Sequence, residues 1–181
     1  HPWTSGADRP DRPSWALIDI DPGPATTFDD VIVLARLFRT ALEHLGVQGR
    51  PKVTGQRGVQ IWVPIEERYT YDQTRDWVEA LSRMVGSFVP ELVSWNWRTD
   101  ERNGLARLDF TQNAPHKTLV APWSVRPAPG APVSVPLEWH ELEDPDLVGD
   151  RWCIPDIAER VRHAGDPLAH LVGLPQELPA L

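Results

Sequence analysis

The sequence predicts an α+β domain with a mixed sheet flanked by helices. Three observations predict it. The stretch Trp15-Ala16-Leu17-Ile18-Asp19-Ile20-Asp21 is apolar until its last residues and reads as a buried strand. Two sets of apolar residues recur at helical spacing, Phe28, Val31, Ile32, Ala35, Phe38, Leu42 and Leu45, then Trp77, Val78, Leu81, Met84, Val85 and Phe88. Strand signals at 51–54 and 59–65 flank a short Gly-bearing turn, which favours some antiparallel pairing.

The elements follow in order. Residues 1–14 form a Pro- and charge-rich loop, and Pro22-Gly23-Pro24 stops the first strand. Thr27 caps the first helix, with Asp29 and Asp30 in its favourable first turn and Gly46 at its end. Thr70 and Gln73 make the capping-box pattern that opens the second helix. Further strands are expected at 106–110 and 118–124, a Pro-rich connection at 127–136 and a short helix at 155–163.

Bulk properties narrow the function. A chain of 181 residues suits one domain. Cys153 is the single cysteine, which excludes an internal disulfide and a Cys-based zinc site. No apolar run approaches the roughly 20 residues that cross a bilayer. No signal peptide is visible, so the expectation is a cytoplasmic protein. The net charge of −8 argues against a broad basic face that wraps duplex DNA. Local basic strips remain compatible with a nucleic-acid enzyme.

Three stretches carry chemistry. Asp19 and Asp21 lie two apart on a strand, so they share one face. Carboxylates that close repel unless a cation sits between them, and Mg²⁺ or Mn²⁺ is the natural guest. A lone Asp-x-Asp also fits acids that merely face solvent. The second stretch is Lys52-Val53-Thr54-Gly55-Gln56-Arg57-Gly58-Val59-Gln60. Its glycines let backbone N–H groups turn toward an anion, and Lys52, Thr54, Arg57 and Gln60 offer donors to phosphate. An ordinary hairpin turn is the competing reading. The third is Arg107-Leu108-Asp109-Phe110-Thr111-Gln112-Asn113, where Asp109 interrupts an apolar strand. It serves either as a third metal ligand or as a structural hydrogen-bonding group. Lys117 and Arg126 follow as further cations.

In this order and spacing the stretches resemble the polymerase domain of bacterial end-joining DNA ligases (ligase D), in the archaeo-eukaryotic primase superfamily. The resemblance rests on His1-Pro2-Trp3, the segment 7–13, Asp19-Ile20-Asp21-Pro22-Gly23, Lys52-Val53-Thr54-Gly55, Asp109-Phe110-Thr111-Gln112-Asn113, the run 117–127, and the stretches 130–134 and 136–139. It implies a single primase-type catalytic domain over 1–181, with 141–181 as a C-terminal extension of short helices. It also implies nucleotidyl transfer to DNA ends in non-homologous end joining, with two divalent ions, Mn²⁺ or Mg²⁺, held by Asp19, Asp21 and Asp109. Lys52, Thr54, Gly55, Arg57, Gln60, Lys117 and Arg126 would line the nucleotide site. Implied partners are a nucleoside triphosphate, DNA ends, the end-binding protein Ku and a ligase domain.

Two departures qualify it. Gln60 stands where the family carries a histidine that contacts the triphosphate. The family's further N-terminal region has no match here, so this chain alone is expected to bind DNA ends weakly. The alternatives are a catalytically weak paralogue acting as a binding module in end joining, and an unrelated Asp-x-Asp phosphatase or sugar transferase. Pro22-Gly23 fits the phosphatase pattern poorly.

Overall fold

The computed structural model describes residues 2–181; His1 of the opening stretch lies outside them. Its elements are β1 (Trp15–Asp21), α1 (Phe28–His44), β2 (Arg50–Val53), β3 (Val59–Pro64), α2 (Tyr71–Phe88), β4 (Arg107–Leu108) and α3 (Ile154–Ala164). The expected capping box at Thr70 forms, and the expected cap at Thr27 is a capping box as well. The Asp30 N–H donates to Thr27 Oγ1 and the Thr27 N–H to Asp30 Oδ2, with the same exchange between Thr70 and Gln73. Each box satisfies donors that the first helical turn leaves unpaired. Gly46, at φ +67°, lets the chain leave α1.

The sheet order is β2-β3-β1-β4, and every ladder is antiparallel. The α+β class holds, while the parallel component of the expected mixed sheet shrinks to an isolated bridge between Val93 and Ala106. Alternation along β1 divides the core. Ala16, Ile18 and Ile20 pack with Ile61, Val63 and the apolar faces of α1 and α2. Leu17 points the other way and packs with Trp62, Leu119, Leu168 and Leu171. Residues 168–171 therefore cover the second face of the sheet, so the C-terminal stretch is part of the core. Asp19 and Asp21 share the Leu17 face, just beyond this cover.

Two expected strands differ. The one at 106–110 is reduced to Arg107–Leu108, because Asp109 turns the chain into a short 3₁₀ helix, Phe110–Gln112, and accepts from the Thr111 N–H. Asn113 then takes over the strand's role toward β1. Its Oδ1 accepts from the Leu17 N–H at 2.8 Å and its Nδ2 donates to the Leu17 carbonyl at 2.7 Å. Residues 118–124 form no strand, since Leu119 is drawn into the second core and Pro122 has no N–H for a ladder. Residues 133–137 run along the edge of β2 instead. The Val53 and Val135 backbones exchange bonds of 3.0 and 3.2 Å, and the Leu137 N–H donates to Pro51 O at 2.9 Å. Prolines 132 and 136 keep this segment from becoming a full strand.

Candidate active site

The strand register builds the floor of the site. Asp19 lies opposite Gln60 on β3, and Gln60 lies opposite Lys52 on β2. On the other side the Asp109 N–H donates to the Asp19 carbonyl at 2.7 Å. Directly paired residues project to the same face, so Lys52, Gln60, Asp19 and Asp109 form one polar row across four strands' width. A cleft of about 850 Å³ opens beside this row. Asp19, Asp21, Thr54, Gly55, Gln60 and Arg126 all line it, and Arg57 does too.

The wall is the turn between β2 and β3. Thr54 Oγ1 donates to Gly58 O at 3.1 Å and closes that turn. Gly55 has φ +71°, and a Cβ there would sit 2.7 Å from Arg126 Cγ, so the glycine lets the arginine lie against the turn. Arg126 Nη2 donates to Gln56 Oε1 at 2.9 Å, while its buried Nε has no partner. Arg57 is committed differently. Its Nη2 donates to the carbonyls of Gly23 at 2.9 Å and Thr26 at 2.8 Å, tying the turn to the start of α1.

Three expected site residues do not line the cleft. Lys52 is fully buried behind it and donates through Nζ to Val120 O and Ser134 Oγ. Lys117 lies outside the lining. Asp109 sits beside Asp19 but is engaged elsewhere. Its Oδ1 accepts from Thr111 Oγ1 at 2.6 Å, the Thr111 N–H at 3.1 Å and Arg107 Nη2 at 3.2 Å. Asp21 pairs with Arg102 at 3.3 Å, and Arg102 also holds the carbonyls of Asn96 and Trp97. Arg102 and Arg107 were not singled out from the sequence. The signal for Arg107 was available: it lies two before Asp109 on a strand and therefore shares its face.

Charge is crowded here. Burial, with the nearby Asp109 and Asp21 carboxylates, pushes Asp19 up to about 7, against the opposing hydrogen bond from Gln60. Burial pushes Lys52 down to about 7, partly offset by Asp19. Gln60 Oε1 and Gln112 Oε1 are buried acceptors with no partner, and both residues line the cleft. Together with Asp19 and Asp21 they make an all-oxygen donor set, which suits a hard divalent cation. Asp109, the third expected ligand, is hydrogen-bonded to Arg107 and Thr111.

The shifted pair makes a stability prediction for metal-free buffer. Between pH 3.8 and about 7 the folded state holds more protons on Asp19 than the unfolded chain, so stability falls as pH rises across that window. Between about 7 and 10.5 the folded state holds fewer on Lys52, so stability rises again. Each arm is limited to about 1.4 kcal/mol per pH unit. Urea denaturation with EDTA should show a local minimum near neutrality in the wild type. Lys52→Met should flatten the alkaline arm, and a variant curve parallel to the wild type would contradict the assignment.

Comparisons with known proteins identify the family. A family model of the LigD primase-polymerase domain matches residues 1–168. The multifunctional non-homologous end joining protein LigD of Pseudomonas aeruginosa is 31% identical over 183 residues, covering 99% of this chain and 22% of that protein. The bifunctional LigD of Bacillus subtilis is 28% identical over 169 residues, covering 93% of this chain and 28% of its own length. The chain thus spans about a quarter of these relatives. The polymerase domain of Mycobacterium tuberculosis ligase D, solved in complex with DNA, superposes with a TM-score of 0.82 at 25% identity, over 91% of this chain and 57% of that one. No helix among the described residues is long and apolar enough to cross a membrane. By its sequence match and its fold, this chain belongs to the LigD primase-polymerase domain family.

Proposed function

We propose that this chain binds a nucleoside triphosphate in the cleft and transfers a nucleotide to a DNA end during non-homologous end joining. The observation that supports this most is the register that sets Asp19 beside Gln60 on the floor of the cleft, below the Thr54–Gly58 turn and Arg126. A divalent ion bound by Asp19 and Asp21, Mg²⁺ or Mn²⁺, would neutralise triphosphate charge and favour ionisation of the attacking hydroxyl. The residues supply the rest. Arg126, which lines the cleft, offers charge-assisted bonds to phosphate oxygens through the N–H groups in its guanidinium plane. Gly55 allows the backbone to approach the ligand closely. Gln60 holds Asp19 through a hydrogen bond that favours its ionised form. The two-ion arrangement implied by the resemblance uses Asp109 as a third ligand, and here Asp109 Oδ1 is taken by Arg107 and Thr111. The proposed chemistry routes no step through a second ion. The names of the relatives, and the DNA in the solved neighbour, support DNA ends as the acceptor, with Ku and a ligase domain as partners.

Gln60 favours a second reading, a weak or inactive paralogue that serves as a binding module. It offers one neutral donor where a histidine could carry charge. Losing a charge-assisted bond costs on the order of 1.5–3 kcal/mol.

Calorimetry with ATP in Mn²⁺ and in EDTA tests the nucleotide site. Binding should require the metal, and Arg126→Ala should weaken it at least about tenfold, as expected for one lost charge-assisted bond of roughly 1.5–3 kcal/mol. Primer extension then separates the two readings. Absence of any Mn²⁺-dependent binding at millimolar ATP would remove the nucleotidyltransferase reading.

A further inference from the structure

We propose that Arg107 is a built-in cation of this site: its guanidinium supplies the positive charge at Asp109, and Asp109 takes no divalent ion while Arg107 is present. The inference rests on reading Asp19 and Asp21 as cation ligands, and it differs from the two-ion expectation at one residue.

Asp109 already carries a charge partner on its better-bonded oxygen. Its Oδ1 accepts from Arg107 Nη2, the Thr111 N–H and Thr111 Oγ1, and its Oδ2 accepts from Gln112 Nε2 at 3.3 Å. Each carboxylate oxygen offers two lone-pair sites, so Oδ1 is fully engaged, while Oδ2 takes only the long bond from Gln112. All four donors come from residues within three positions along the chain, three of them from the 3₁₀ turn that follows β4.

Arg107 is held in place from several sides. Its side chain is 7% exposed, and that of Asp109 is 15% exposed. Its backbone is paired in β4 against Asp21 of β1, and strand alternation aims it at Asp109. The ring of Trp97 lies 4.2 Å from its guanidinium carbon, a cation–π contact that fixes the plane of the group. Trp97 is in turn anchored through its carbonyl to Arg102, which also pairs with Asp21. A guanidinium stays charged at any working pH. An ion entering at Asp109 would therefore meet a fixed like charge and would have to break a packed, stacked contact. Asp19 faces no guanidinium. Its polar partner across the ladder is Gln60, and the nearest internal cation, Lys52, spends its amine on Val120 O and Ser134 Oγ.

Mn²⁺ binding followed by electron paramagnetic resonance of the free ion tests this on the whole chain, without reference to turnover. The wild type should bind one ion, and Asp109→Asn should bind the same number. Arg107→Leu, which keeps an apolar side chain against Trp97, should bind a second ion, and Asp109→Asn in that background should remove it. Melting gives a parallel readout: Arg107→Leu should regain melting temperature on adding Mn²⁺ by more than the wild type does. Two ions on the wild type with one lost in Asp109→Asn would overturn the proposal, as would an Arg107→Leu variant that binds Mn²⁺ as the wild type does. If Arg107→Leu fails to fold, the wild type and Asp109→Asn alone still decide it. A wild type that binds no ion overturns the assignment of Asp19 and Asp21 instead. An Asp109-dependent ion gained in Arg107→Leu would then still support the role of Arg107, and none gained would overturn it.

Discussion

Replacing Asp19 and Asp21 together by Asn should lower Mn²⁺-dependent triphosphate affinity at least a hundredfold, with the fold retained. Both carboxylates line the cleft, and both lie on the face of β1 that the C-terminal segment leaves open. Charge-assisted interactions contribute about 1.5–3 kcal/mol each, so losing two removes at least about 3 kcal/mol. Asn keeps the shape, which protects the β1 ladder on both sides. The two changes act in opposite directions on stability. Asn at position 19 relieves the burial of a carboxylate already pushed up to about 7. Asn at position 21 weakens a pair with Arg102, whose guanidinium keeps two backbone carbonyls. Asp21 is 55% exposed, so that loss is small. Calorimetry in Mn²⁺ and in EDTA, beside a urea melt, reads both effects. A double variant that still binds ATP in a Mn²⁺-dependent way would place the metal elsewhere.

The parts of this site that were legible in the sequence are those governed by local periodicity. Alternation puts Asp19 and Asp21 on one face, and the apolar spacing of α1 and α2 with their Thr caps locates both helices nearly to the residue. The turn carrying Gly55 was also readable, because its glycines and flanking strands are adjacent in the chain. Lys52 shows where this reasoning stops. In the sequence it is a basic residue beside a glycine turn. In the fold, residues 133–137 cover β2 from a distance of some eighty positions, and Ser134 captures its amine. Asp109 is a second case. Its place beside Asp19 follows from a strand reading, but three of its four hydrogen bonds follow from the 3₁₀ turn that ends β4. Arg102 and Trp97 belong to a loop without periodic signal, so their approach to Asp21 and Arg107 is set wholly by long-range packing.

Gly23→Ala should cost about 3 kcal/mol of stability, a typical result of forcing atoms into a packed backbone contact. In a chain of this size that lowers the melting temperature by roughly 6–12 °C. The sequence marks Gly23 only as part of a strand stop. In the fold a Cβ at this position would lie 2.2 Å from Gly104 O and 2.3 Å from Leu105 O. Both obstacles are backbone, so no side chain can turn away. The loop cannot shift freely either. The Gly23 N–H donates to Thr26 Oγ1, Thr26 Oγ1 donates to Gly104 O, and Arg57 donates to the Gly23 carbonyl. Gly23 is therefore the joint at which the end of β1, the start of α1, the β2–β3 turn and the Arg102 segment meet. Moving it displaces Asp21 and Arg57 together, so ATP affinity in Mn²⁺ should fall along with the melting temperature. Gly149→Ala provides a second test from the opposite wall, since its Cβ would lie 1.9 Å from Gln56 O on the same turn. That variant should also weaken ATP binding, while leaving the Gly23 joint intact. A Gly23→Ala protein that melts within a degree of the wild type would show that the 102–105 segment yields easily, and Arg102 could then not be a fixed partner of Asp21.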